Sequence, residues 1–197
     1  MLGWGLLWLL AACAPTNAEY DYGLGAPTIS GQVWVQGQPV KGQEALVVAI
    51  QSQSRFVTMD DPGSGRRPEA FPQGETVYSH TARVAQVDAD GRFRFTLADV
   101  ASGAVIYVFS SGMMRQQLVH QRQVGVKGVR YHVDMTPAGD WRSYYYALVS
   151  PFMTGLLTEP RYALDPRDQQ WVVDWVKREE QKLEAKAPPA SAPASRR

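Results

Sequence analysis

Cysteine is almost missing from this chain: Cys13 is the only one among 197 residues. No disulfide can close within it, so its fold has to be held by its core. Charge of one sign is missing too. Twenty basic residues stand against 19 acidic ones, a formal net charge of +1, and that balance gives no overall field favouring nucleic acid or a strongly acidic partner. Histidine is scarce, with His80, His120 and His132 alone. None stands in a His-x-x-x-His or His-x-x-Glu arrangement, so zinc-peptidase chemistry has no local support. His132 alternates with Tyr131 and Val133 and reads as the rim residue of a strand. No Gly-x-Ser-x-Gly elbow is present; Gly63-Ser64-Gly65 lies in a turn-rich stretch, where a flexible loop explains it better. Asp88-Ala89-Asp90-Gly91 opens like a calcium loop, but no later Glu completes an oxygen cage, and a turn is the simpler reading. No catalytic residue, metal ligand or cofactor is therefore assigned.

What the chain has is strand signal. Aromatics make up 11% of it, with 13 Pro and 17 Gly, a composition that suits an all-β domain with many turns. The stretch from Val84 to Ser110 reads as strand, tight turn, strand, short connection, strand. Asp90-Gly91 is the expected hairpin turn. Beyond it Phe93, Phe95 and Leu97 alternate with Arg92, Arg94 and Thr96, the period of a half-buried strand. Val105 to Phe109 is apolar on both faces, as expected of a strand in the middle of a sandwich.

Earlier strands are expected at Gln32–Val35 and Ala45–Ile50, with Pro39-Val40-Lys41-Gly42 turning between them. The pattern weakens from Gln51 to Thr76, and Asp60 to Pro68 reads as a turn-rich insertion. Further strands are expected over Glu75–Val87, Leu118–Gln123 and Val129–Met135, seven or eight in all. Thr136 to Asp140 ends this pattern. An aromatic stretch from Trp141 to Leu157 follows, and then a helix. Asp165 is placed to cap it, Pro166 to open it and Asp168 to favour its first turn. Trp171, Val172, Trp175, Val176 and Leu183 make its apolar stripe. Residues 187–197 are a Pro/Ala/Ser tail expected to be disordered.

At the other end, Leu2 to Leu10 is an apolar run of about nine residues, too short for a spanning helix but suited to a signal-peptide core. No Lys or Arg precedes it, so either the start lies upstream or the signal is short. It runs into Leu10-Ala11-Ala12-Cys13, which resembles the lipobox of bacterial lipoproteins. The resemblance implies that Cys13 is lipidated and becomes the first mature residue. Ala14 in place of Asp resembles lipoproteins sorted to the outer membrane. The rival is cleavage after Thr16-Asn17-Ala18, which would release a secreted protein starting at Glu19.

Three further segments carry a second resemblance. Ile29-Ser30-Gly31-Gln32-Val33, Pro39-Val40-Lys41-Gly42-Gln43-Glu44-Ala45-Leu46-Val47 and Asp88-Ala89-Asp90-Gly91-Arg92-Phe93-Arg94-Phe95 together resemble a transthyretin-like (prealbumin-like) β-sandwich of the carboxypeptidase-regulatory type. The expected architecture is mainly β: a seven- or eight-strand transthyretin-like β-sandwich with a C-terminal amphipathic α-helix. Its expected division is a signal peptide at 1–12, a flexible tether at 13–28, the sandwich at 29–136, and the aromatic segment and helix packed on it at 137–186. Enzymes of this fold that open hydroxyisourate rings carry Tyr-Arg-Gly-Ser, a tetrapeptide this sequence does not contain, so that activity is set aside.

The function these features suggest is non-catalytic: an outer-membrane lipoprotein, periplasmic or surface-facing, serving as an accessory or docking subunit of an envelope assembly such as a secretion or surface machine. That expectation rests on analogy at the level of the fold. Its expected partners are the membrane, through Cys13, and another envelope protein, with no nucleic acid. The alternative is a secreted or surface glycan- or peptidoglycan-binding module. Tyr144, Tyr145, Tyr146, Phe152, Trp171 and Trp175 are the candidate partner-binding residues under either reading. The competing reading for all six is core packing.

Overall fold

Every residue from Ala45 to Ala49 is buried. A strand with side chains buried on both faces needs a layer on each side of its sheet, and the computed structural model supplies both. It describes residues 17–21, 28–57, 75–96, 103–120, 128–162 and 164–186. The signal peptide, Cys13, the 58–74 loop and the tail at 187–197 lie outside the described residues.

In chain order the elements are β1 (Asn17–Asp21), β2 (Thr28–Val35), β3 (Gln38–Pro39), β4 (Ala45–Val57), β5 (Glu75–Gln86), β6 (Arg92–Thr96), β7 (Val105–Ser110), β8 (Gln116–Val119) and β9 (Gly128–Met135). Then come α1 (Trp141–Tyr144), a π-helical segment (Tyr145–Val149), α2 (Ser150–Thr158) and α3 (Pro166–Ala185). One sheet runs β1-β9-β2-β3, with β6 also on β2; the other runs β5-β4-β7-β8. All pairings are antiparallel except β2 with β9, which is parallel. The fold is mainly β, in two sheets.

The two sheets face each other across one apolar cluster. Ile29, Val33, Phe93, Phe95, Val129, Tyr131 and Val133 meet Val47, Ala49, Ile106, Val108 and Leu118 there. Burial pushes the Tyr131 hydroxyl up to about 12, with Tyr20 adding to the shift. A second cluster lies on the far side of β4 and β7. Leu46, Val48, Ala82, Val84 and Phe109 pack there against Tyr145, Val149, Met153, Leu156, Val172 and Trp175. The order of layers is sheet, sheet, helices. Val105–Phe109 is apolar on both faces because helices cover its second face, and not only because it lies inside a sandwich.

Several boundaries differ from expectation. Asn17–Asp21, inside the expected tether, is an edge strand in register with β9, Ala18 opposite Tyr131. Its alternation is only five residues long, too short to stand out among Pro and Gly. The Asp90-Gly91 turn does not close a hairpin. β5 pairs with β4 and β6 with β2, so the turn carries the chain from one sheet to the other. Period-2 patterning shows which face of a strand is buried and not which strand pairs with it. The turn itself is as expected: Asp88 Oδ1 accepts from the amides of Asp90 and Arg92 at 2.9 and 2.8 Å. Gly91 has φ +77° with the Val33 carbonyl 2.9 Å from where a Cβ would sit, so glycine is required there.

The strand expected to end at Ile50 continues to Val57, paired throughout with β5, and β8 takes in Gln116 and Gln117 ahead of the expected Leu118, while 121–123 lie outside the described residues. The described residues hold nine strands, one of them only two residues long. The aromatic stretch is itself helical. Asp140 caps it, accepting from the Ser143 amide and hydroxyl, contacts that lower its carboxyl below the ordinary value. The last helix begins as expected, with Asp165 accepting from the Arg167 amide at 2.9 Å and Pro166 in the first turn.

One position on α3 breaks its apolar stripe. Glu179, between Trp175 and Leu183, is 1% exposed. Its Oε1 accepts from Lys182 Nζ at 2.8 Å, while Oε2 has no partner among the described residues. A buried carboxylate with half its acceptors unmet costs more desolvation than one ion pair returns. The Lys182 side chain is 43% exposed, so removing its partner leaves no buried cation behind. Glu179→Met is therefore expected to stabilise the protein by about 1 kcal/mol, read as a rise in the urea midpoint. A fall of the midpoint would show that Glu179 holds the helix layer in place.

Candidate functional site

The six aromatic candidates separate by burial. Trp175 is 1% exposed and Tyr145 fully buried. The Trp175 ring lies 6.1 Å from that of Phe109, and burial raises the Tyr145 hydroxyl, with Glu180 and Glu179 nearby adding to the effect. Both are core residues and cannot meet a partner. Phe152 is half-buried against Tyr107 and Phe109, with ring centroids 5.0 and 5.2 Å away. The Tyr144 hydroxyl accepts from the Arg115 amide at 3.0 Å, and the Arg115 guanidinium lies 5.1 Å from the Tyr107 ring centre and 5.8 Å from that of Phe152. These four residues fasten the helices to the second sheet. Tyr146 is 46% exposed. Trp171 is half-buried beneath the Arg167 guanidinium, 4.4 Å from its ring centre.

Trp171 also lines a feature that the sequence did not announce. Along one side of the molecule, where β6 borders the first sheet and β5 the second, an open groove of about 1360 Å³ is lined by Arg83, Arg92, Arg94, Arg130 and Arg167. The arginines come from β5, β6, β9 and α3. Two of them share a row on the outer face of the first sheet: Ser30 on β2 is in register with Arg130 on one side and Arg94 on the other. Adjacent strands lie about 4.8 Å apart, so the two guanidinium stems stand roughly 10 Å apart across a small polar floor. Thr28 and Gln32 extend that floor.

Three carboxylates line the same groove, and each is engaged by main-chain amides. Asp88 holds the turn, Asp165 caps α3, and Asp168 Oδ2 accepts from the Val84 amide on the outer edge of β5 at 2.9 Å. Asp168 is 7% exposed, and burial raises its carboxyl above the usual value in spite of that hydrogen bond. The arginines are less committed. Arg130 reaches Glu19 at 3.7 Å and Arg92 reaches Asp90 at 3.6 Å, both exposed pairs of small energetic weight. Among the described residues Arg94 has no acidic partner and the buried Arg83 Nε no hydrogen-bond acceptor, while the charges of Arg83 and Arg167 act on Asp168.

The histidines lie elsewhere. His120 is buried and within 3.1 Å of the Tyr131 hydroxyl. His80 contacts Ser52 and stacks on Tyr162. His132 stacks on Trp34, its Nε2 3.4 Å from Asp134, at the surface where its alternation put it. Among the described residues no cluster of His, Cys, Asp and Glu has the geometry of a metal site, and no helix is long and apolar enough to cross a membrane. Comparison with protein-family models, curated proteins and solved structures finds no match for this chain.

Proposed function

We propose that this chain is a cell-envelope lipoprotein, anchored in the outer membrane through a lipidated Cys13, whose transthyretin-like domain acts as a docking subunit for another envelope protein. The arginine-lined groove carries this reading. It is wide and open, and it is framed by two sheets whose geometry is fixed by a shared core. Its three carboxylates are occupied by backbone amides, which leaves them poorly placed to serve as a general base. Such a surface suits recognition better than proton transfer. The transthyretin-like assignment is supported by where its motifs fall: Gly31 and Val33 on the inner face of β2, Val40 buried after β3, and the Asp88–Gly91 turn between the sheets.

The anchor is supported by the lipobox and by β1. Only Ala14, Pro15 and Thr16 separate Cys13 from the first strand residue. Cleavage after Ala18, the rival, would cut through β1 and remove Ala18, which packs against the core between the sheets. The glycan alternative has weaker support, since four of the six candidate rings fasten the helix layer and Trp171 is covered by Arg167.

Intact mass and membrane partitioning of the native protein and a Cys13→Ala variant test the anchor. The expected result is a diacylglyceryl adduct on Cys13, with the variant released from membranes. An unmodified mature chain starting at Glu19 would overturn it.

A further inference from the structure

We propose that the arginine-lined groove binds an extended acidic segment of polypeptide, laid from the outer face of the first sheet around β6 toward the start of α3. This inference deepens the docking reading above and rests on it.

The charge pattern sets the chemistry. Five arginines line one groove against three aspartates, so its lining is cationic by two even with every aspartate charged, although the whole chain is close to neutral. Arginine rather than lysine stands at all five positions, and its planar fork matches a carboxylate with two parallel hydrogen bonds. The cations are spread along the groove, from Arg130 and Arg94 on the sheet face to Arg83 and Arg167 beside α3. That spacing suits several carboxylates along a chain better than one compact anion.

The groove also offers what a polypeptide backbone uses. Among the described residues β6 pairs on one side only, with β2. The Val33 amide bonds the Gly91 carbonyl at 2.8 Å, which fixes the antiparallel alternation and turns the Arg94 amide and carbonyl to the outer edge. The outer edge of β5 is already engaged, its His80 amide bonding the Arg161 carbonyl at 3.0 Å and its Val84 amide the Asp168 carboxylate at 2.9 Å. An acidic side chain on a strand-edge amide is thus an arrangement that this groove already contains. A strand added at the β6 edge would gain main-chain hydrogen bonds as well as charge. An anionic lipid surface has no backbone amides and carbonyls to offer it.

The probe is a fluorescent 12-residue peptide alternating Glu and Val, titrated into the full-length protein by anisotropy. Its Gln-for-Glu counterpart and phosphatidylglycerol vesicles form the other two arms. The acidic peptide is expected to bind and the Gln peptide not, with affinity falling as salt rises. Arg94→Glu and Arg130→Glu, both at exposed positions, are each expected to weaken binding at least about tenfold with an unchanged circular dichroism spectrum. Equal binding of the Gln peptide, indifference to both substitutions, or vesicle binding that depends on these arginines in place of peptide binding would overturn the proposal. The two readings fail separately. A Cys13 without lipid removes the envelope anchor and leaves the titration unaffected. A failed titration removes the acidic ligand and leaves the anchor standing.

Discussion

Gly31→Ala is expected to destabilise the protein by about 3 kcal/mol, at the upper end of the cost of overpacking a core. Gly31 lies on the inner face of β2, where a Cβ would sit 2.4 and 2.5 Å from two atoms of the Phe93 ring and 2.8 Å from the Tyr131 carbonyl oxygen. The ring has nowhere to retreat: Phe93 is 2% exposed and packs edge-on against Phe95, with centroids 6.1 Å apart. The carbonyl belongs to β9, whose parallel ladder with β2 would have to part. Urea unfolding is the measurement, with the midpoint dropping at little change in slope. Shortening the ring in a Gly31→Ala/Phe93→Leu double variant should recover part of the loss, because neighbours in contact do not add. A single variant as stable as the parent would mean that Phe93 has another place to go.

The second large effect is at Trp175. Trp175→Ala removes the largest fully buried side chain from the layer between α3 and the second sheet. It also removes the ring contact with Phe109 and a long hydrogen bond, 3.4 Å, from its indole nitrogen to the Glu44 carbonyl. Truncations of this kind cost about 3–5 kcal/mol, which for a chain of this size lowers the melting temperature by roughly 10 °C. Tyr146→Ala, in the same helical region but exposed, should move it by less than about 2 °C. Equal shifts from the two would contradict the division of the aromatic residues into structural and surface sets.

The aromatic stretch shows how far the sequence could be read. The six candidate rings between 144 and 175 read first as core and second as a binding surface, and the sequence could not sort them one by one, because hydropathy does not distinguish a face turned to a sheet from one turned to a partner. The α3 cap and its stripe were legible because they are local, set by Asp165, Pro166 and the spacing of Val172 and Trp175. Asp140 and Ser143 formed a second cap signal, obscured by the bulky residues that follow. The groove was not legible at all. Its arginines stand at 83, 92, 94, 130 and 167, scattered over 85 positions, and are brought together by pairings that period-2 alternation leaves undetermined. A net charge near zero hid them further, since it averages these arginines with acids from the whole chain.

The parallel pair at the centre of the first sheet also decides when the fold can close. Thr28 is in register with Gly128 and Val35 with Met135, partners 100 positions apart. No local turn can bring them together, so the loop entropy must be met before the contact returns anything. A chain that emerges amino terminus first has finished the whole second sheet, β4, β5, β7 and β8, before β9 exists. β2 spends that interval with one long edge bare, holding Ile29 and Val33 ready for a strand not yet made. Anything that pairs with that edge in the meantime competes with β9 for the native place.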